Sequence, residues 1–309
     1  MTGLLTLSQG VLCTEAALGQ VFHACIADIP VEIFFPLPPD TEEKEESSPF
    51  GNPLQPPSIA KTWKRGNDPF NWGYPMQLPS GNSHVNLLAL SIECDESQIE
   101  ETAKALYSSI EKWERSFVDL LIISTKQSTE RDKNIPRENT CELELLGDKY
   151  IPSDIGIHVY LTIPKPNCFA SKEQIEQAIA FASSGKELLL EYQMMLSAYS
   201  ARKNCQNRQA IIDACAAVEL CLDNNISDRL DKLALNPKPF LDKFRGLGDK
   251  FDLIKLLDKT FPSDDHQKKI VDPRNGIAHN RNAYPDDKTT DTLISCVENC
   301  LAHLFKGYY

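Results

Sequence analysis

Short apolar runs in the first half of the chain predict β-strands. Residues 141–145 alternate apolar and acidic side chains, which is typical of a strand with one buried face. Apolar residues over 99–120 instead recur at spacings of three and four, which predicts a helix, and Ser97 and Glu100 form a capping-box pattern at its start. The predicted strands lie within 1–35, at VFHACI (21–26), VEIFF (31–35), HVNLLALSIEC (84–94), CELELLG (141–147) and IGIHVYLTI (155–163). These elements predict an α+β domain over 1–165 with an antiparallel sheet.

A proline-rich segment, 36–83, interrupts these strands. It holds ten of the chain's 20 prolines and the acidic run DTEEKEE at 40–46. Such a composition predicts a long loop and not a packed element. The loop also carries aromatic residues, and two interpretations stay open: the rings pack onto the domain, or they bind a partner or ligand. These residues are Trp63, Phe70, Trp72 and Tyr74.

The second half of the chain has helical periodicity throughout, which predicts an all-α domain over 171–309. Ser171 and Gln174 form a capping box before a long amphipathic stretch that runs to about Tyr199. The run AIIDACAAVELCL (210–222) is apolar nearly all round, so we expect a central core helix there. The predicted helices cover 171–199, 203–224, 238–247, 250–259, a segment from about 266, and 291–305.

Charge and composition exclude several classes of protein. The net charge of −12 is concentrated in residues 1–200, where 15 Lys+Arg face 28 Asp+Glu, so this half is poorly suited to gripping a phosphate backbone. The chain has no apolar run of about 18 residues, and we expect no membrane association. The N-terminus lacks the basic start of a secretory signal, and the ten cysteines include no CxxC pair. We therefore expect a cytoplasmic protein with reduced thiols.

One short stretch of the helical half, residues 272–280, carries candidate chemistry. Arg274 and His279 are five residues apart, which places their side chains about 140° apart on an ideal helix. A guanidinium can bind a phosphate through two hydrogen bonds, and an imidazole exchanges protons near neutral pH. Gly276 would permit a distortion that brings them together, or each could reach a site shared with a second copy of the helix.

This stretch resembles the signature motif of the HEPN superfamily, the higher eukaryote and prokaryote nucleotide-binding domain. Arg274, Asn275 and His279 match its Arg, its following polar residue and its His, and the run 214–219 looks like that of an earlier family helix. The resemblance implies an all-α bundle that acts as a ribonuclease without a metal or other cofactor. His279 would be the general acid or base, Arg274 would stabilise phosphate charge, and Asn275 would orient the phosphate or His279.

The resemblance also implies partners and a biological setting. Two copies of the motif would meet across a homodimer formed by the C-terminal domain, and RNA would be the substrate. We expect an endoribonuclease effector of a bacterial antiphage, abortive-infection or toxin-like system. Its domain at 1–165 would sense a trigger protein or ligand, or restrain the nuclease. The alternative is a non-catalytic HEPN scaffold that dimerises and binds a partner or nucleotide.

Several residues near the motif have two interpretations each. Lys268, Lys269 and Arg281 would contact RNA phosphates, or they are ordinary solvated charges. Glu219 would support Arg274 or His279, or it forms a structural salt bridge or faces solvent. On the last helix, Cys296, Cys300 and His303 share one face, and core packing is favoured over a zinc site because a fourth ligand is not apparent.

Overall fold

The protein consists of two compact units, residues 1–187 and 188–309. The first unit combines an antiparallel sheet with helices, and the described part of the second is helical, so the fold is α+β, as predicted. The computed structural model describes residues 1–40, 52–65, 68–76, 81–127, 142–146, 169–262, 265–279 and 284–304.

The strands of the first unit form a sheet in which each listed strand pairing is antiparallel. In the described part of the chain the sheet has the order β2-β3-β7-β1-β8, with β6 also paired to β7, while β4 and β5 form a separate small hairpin. The predicted strand at 155–163 lies outside the described residues. The strands are β1 Thr2–Thr14, β2 Val21–Ile26, β3 Ile29–Phe34, β4 Lys64–Arg65, β5 Asp68–Pro69, β6 Gly73–Pro75, β7 Asn82–Ile92 and β8 Glu142–Leu146.

Position in the sheet explains the burial of each strand. Side chains of β2, next to β3 alone in the described sheet, alternate strictly between exposed and buried. Strand β7 lies between β3 and β1 and is buried along most of its length, from Ser83 to Ile92. The predicted strand positions at 21–26, 84–94 and 141–147 are therefore confirmed to within a few residues.

Two helices complete the first unit, and the second of them moves the domain boundary. Helix α1 (Ile99–Thr125) follows a 3₁₀ turn, and its N-cap is Gln98 without a side-chain bond, so the predicted Ser97–Glu100 capping box is wrong. Helix α2 (Lys172–Ser183) does begin with the predicted Ser171–Gln174 box. Because α2 contacts α1 and β2, it belongs to the first unit, which ends at 187 and not at 165.

A buried carboxylate connects α1 to an irregularity in β1. The register of β1 against β7 shifts between Thr6 and Val11, which leaves the backbone of this segment outside the ladder. Glu114 on α1 accepts hydrogen bonds there from the Ser8 backbone N–H (2.9 Å) and the Ser8 hydroxyl (2.6 Å). Glu114 is only 2 % exposed, so these bonds replace the water that a buried carboxylate would lose.

The described part of the proline-rich loop packs its aromatic rings together. Trp72 is 2 % exposed and lies between Trp63 and Phe70, with ring centroids 6.5 and 6.4 Å away. Tyr74 stacks at 5.2 Å on His84 of β7. This geometry supports the packing interpretation of the loop, and it leaves Trp63 and Phe70 half-buried at the surface.

The second unit is built around one long helix. The predicted helix 171–199 is two helices, since the chain turns at Gly185, where φ is +65°. Helix α4 begins at Asn207, extends eight residues beyond the predicted end at 224, and contacts α3, α5, α6, α7 and α8. The helices of this unit are α3 Leu190–Lys203, α4 Asn207–Lys232, α5 Pro237–Lys243, α6 Leu247–Leu257, α7 Asp272–Ala278 and α8 Asp287–Leu304.

The apolar run of α4 forms the centre of the second unit, as predicted. Its buried side chains include Ala210, Ile211, Ala214, Val218 and Leu222. Across the described residues, no helix combines the length and the apolar character that crossing a membrane requires.

Replacement of Glu114 by alanine is expected to destabilise the first unit. The substitution leaves the Ser8 N–H and hydroxyl buried without their acceptor, and we expect a loss of about 2–3 kcal/mol in the free energy of unfolding. Urea unfolding followed by circular dichroism measures this loss.

Glu111→Ala is the matched control on the same helix. Glu111 is exposed and pairs only with Arg115 one turn away, so its removal should change the free energy of unfolding by less than about 0.5 kcal/mol. Equal effects of the two substitutions would contradict the role assigned to Glu114.

Candidate functional site

The motif lies on a helix that changes its winding just before Arg274. A π-helical turn, Gln267–Val271, runs directly into α7, so the chain is helical from His266 to Ala278. Pro273 explains the wider turn, because its ring has no N–H and would clash with the carbonyl of Lys269 in a regular helix. Such π turns are frequent at functional sites.

Arg274 and Asn275 are half-buried on α7 and contact each other. The Nη1 group of Arg274 donates a hydrogen bond of 3.3 Å to the Asn275 side-chain oxygen. Helix α7 contacts α4, and Arg274 acts electrostatically on the thiol of Cys215 there. Burial raises the pKa of the Cys215 thiol to about 12, an effect that Arg274 opposes and Glu219 reinforces. Cys215 is therefore a neutral packing residue between two charges.

His279 is the residue that follows α7, and it is exposed. Its backbone has left helical geometry (φ −93°, ψ 14°), although its N–H still donates to the Asn275 carbonyl at 3.0 Å. The 140° separation from Arg274 expected on an ideal helix therefore does not apply. The structure brings Arg274 and Asn275 into contact, and it places His279 at the open end of the same helix.

Glu219 has a different partner from the two considered in the sequence analysis. Its carboxylate accepts a hydrogen bond of 3.0 Å from Lys250 of α6, and no ion pair within the described residues joins it to Arg274 or His279. The expected direct support of the motif by Glu219 is thus wrong, and the salt-bridge interpretation is confirmed.

Lys250 was not recognised in the sequence, and it is the most buried cation near the motif in the described residues. It is 6 % exposed and also donates to Asp223 at 2.8 Å. Burial works to lower the pKa of Lys250, but the bonds to Asp223 and Glu219 outweigh it and raise the pKa. A signal was present: Lys250 occupies the apolar face of α6 together with Leu247 and Ile254, where a lysine requires a buried partner.

The basic residues expected to contact RNA are only partly placed by the structure. Lys268 is exposed on the π turn, and Lys269 is half-buried beside α8. Lys269 borders an open cavity of about 360 Å³ whose other walls are the α8 residues Asp291, Thr292, Ser295, Cys296 and Asn299. Arg281 lies outside the described residues.

The end of α8 carries a histidine network and not a zinc site. His303 Nε2 lies 3.0 Å from the Asp258 carboxylate, which also accepts two bonds from Thr260 and pairs with Arg229 of α4. Cys296 and Cys300 are buried, and the described residues contain no cluster of three metal-ligating side chains. The bonds from Thr260, with those from His303 and Arg229, hold the pKa of Asp258 well below its ordinary value.

Comparison with protein-family models, with curated proteins and with solved structures finds no match to this chain. The function of the motif is therefore argued from its own residues and from the resemblance of its sequence.

Asp258→Asn is expected to destabilise the second unit in a pH-dependent manner. The native state favours ionised Asp258, so its contribution to stability is complete above about pH 4 and is lost as the pH falls through the lowered native pKa. We expect a loss of about 3 kcal/mol at neutral pH, which shrinks toward zero in acid. Thermal or urea unfolding of both proteins across this pH range measures the difference.

Asp242→Asn serves as the control for this series. The Asp242 carboxylate is 57 % exposed and faces Arg245 at 3.5 Å, so its removal should have little effect at any pH. A penalty for Asp258→Asn that stays constant down to pH 3 would mean that the charge of Asp258 is not what stabilises the unit.

Proposed function

We propose that this protein is a metal-independent endoribonuclease of the HEPN type. The observation that carries the proposal is the arrangement at the end of α7: a half-buried Arg274 in contact with Asn275, and an exposed His279 one residue beyond the helix. One group is held against the unit, and the other is open to a substrate. A guanidinium and an imidazole on one surface helix suit the cleavage of a phosphodiester.

The proposed reaction is an internal transfer within RNA. The ribose 2′-oxygen attacks the adjacent phosphorus, the new O2′–P bond forms, and the P–O5′ bond breaks. His279 takes the 2′-hydroxyl proton or supplies one to the leaving 5′-oxygen. Arg274 stabilises the charge that builds on the non-bridging phosphate oxygens, and Asn275 orients the guanidinium through the 3.3 Å contact. The products are a 2′,3′-cyclic phosphate and a 5′-hydroxyl.

The assembly and the setting of the enzyme are part of the same proposal. Two copies of the second unit pair about a two-fold axis, so that one protomer's His279 and its partner's His279 serve a shared cleft. The acidic first unit restrains the nuclease or senses a trigger, since its charge repels RNA. The protein acts in the cytoplasm as a defence or toxin-like effector.

His279→Ala is expected to abolish most of the chemistry while RNA binding persists. General acid–base groups contribute about 10²–10⁴-fold to a rate, and we expect a loss of that size in kcat. Cleavage of a labelled single-stranded RNA under single-turnover conditions measures the chemistry, and fluorescence anisotropy measures binding. Arg274→Lys should not restore activity, because an ammonium cannot form the paired hydrogen bonds of a guanidinium.

The matched control is His23→Ala, which removes an exposed histidine from β2 in the other unit. It should cleave RNA as the unmodified protein does. If His279→Ala retained full activity, the assignment of the catalytic groups would be wrong. RNA binding without cleavage by the unmodified protein would favour the non-catalytic scaffold.

Cleavage is expected to continue in excess EDTA. The proposed chemistry moves protons through an imidazole and requires no metal-activated water. Mass spectrometry of the products should detect the 2′,3′-cyclic phosphate. Dependence on added magnesium together with 5′-phosphate products would contradict the proposed mechanism.

A further inference from the structure

The ion pairs of Lys250 lie beside the motif and outside the proposed reaction. The Lys250 ammonium lies 3.0 Å from Glu219 and 2.8 Å from Asp223, two carboxylates one turn apart on α4. Lys250 is 7 % exposed at its side chain, whereas the two carboxylates are 32 % and 34 % exposed. The cation therefore comes from the interior of the unit and draws both carboxylates toward it.

Arg274 and Glu219 approach the same turn of α4. Both act on the buried Cys215 thiol, one lowering and the other raising its pKa, so the two opposite charges flank this residue. Glu219 lies about 6 Å from Cys215 along the helix axis, whereas Asp223 lies about 12 Å away. Glu219 is thus the carboxylate of this cluster nearer to Arg274.

We propose that Lys250 is a positioning residue: by binding Glu219, it keeps this carboxylate from pairing with Arg274, so that the guanidinium remains available for a phosphate group. The inference rests on the proposed function for its biological meaning, but the competition between the two cations for Glu219 is a property of the folded protein alone. No carboxylate of the described residues forms an ion pair with Arg274, and its hydrogen bond goes to the neutral Asn275.

Loss of the Lys250 charge changes this balance. Glu219 would then be a partly buried anion without its cation, and pairing with a guanidinium across one helical turn would lower its energy. A guanidinium held in an internal ion pair must be released before it binds a phosphate. The consequence is weaker substrate binding, with the acid–base step at His279 less affected.

Two double variants with equal charge form the test. Lys250→Met with Asp223→Asn keeps Glu219 and removes the more distant carboxylate. Lys250→Met with Glu219→Gln keeps Asp223 and removes the nearer one. Both lose one cation and one anion from the same cluster, so any difference between them reports which carboxylate reaches Arg274.

The first measurement uses phenylglyoxal, a reagent that modifies guanidinium groups, and follows the labelling rate at Arg274 by peptide mass spectrometry. We expect labelling near the unmodified rate where Glu219 is replaced. Where Glu219 remains, we expect labelling to be about fivefold slower, the size of effect that a partly exposed ion pair produces. Equal rates in the two double variants would overturn the inference, whether or not the protein cleaves RNA.

The second measurement is RNA cleavage by the same proteins. The variant that keeps Glu219 should have a KM raised about fivefold with a smaller change in kcat, and the variant that keeps Asp223 should have a KM near the unmodified value. An equal fall in kcat in both would indicate a purely structural role and would overturn the inference. If the unmodified protein does not cleave RNA, the proposed function fails, and the labelling rates still decide the role of Lys250.

Discussion

The burial of α4 is the constraint on which the second unit depends. A helix that contacts α3, α5, α6, α7 and α8 exposes little of its surface, so each charged residue on it needs a partner from a neighbouring helix. Lys250 of α6 serves Glu219 and Asp223, and Asp258, which follows α6, serves Arg229. These pairs fix which face of α6 meets α4, a choice that apolar contacts alone would leave open.

The first unit meets the same requirement with a single carboxylate. A one-sided sheet requires a helix across its buried face, and α1 supplies an apolar stripe that includes Leu106, Ile110 and Phe117. Apolar contact does not determine how far α1 slides along β1. Glu114 does, because its two hydrogen bonds from Ser8 are available only where β1 leaves its regular pairing.

Sequence patterns predicted what depends on local periodicity and missed what depends on tertiary partners. Alternation located β2 and β8, and the Ser171 box correctly marked the start of α2, because these signals act within a few residues. The boundary near 165 was wrong because α2 reads as one more amphipathic helix, and only its contacts assign it to the sheet. Lys250 escaped notice because its partners lie 27 and 31 residues earlier in the chain.

The motif separates two requirements that a phosphodiester-cleaving site must satisfy. A group that stabilises developing charge acts best when its position is fixed in advance, and Arg274 is half-buried against α4 and bonded to Asn275. A group that transfers protons must reach the substrate, and His279 is exposed beyond the helix end. A fixed guanidinium next to an acidic helix would be neutralised by it unless another cation bound the acid first. The buried position of Lys250 follows from that requirement, since a cation anchored in the core does not compete for the phosphate itself.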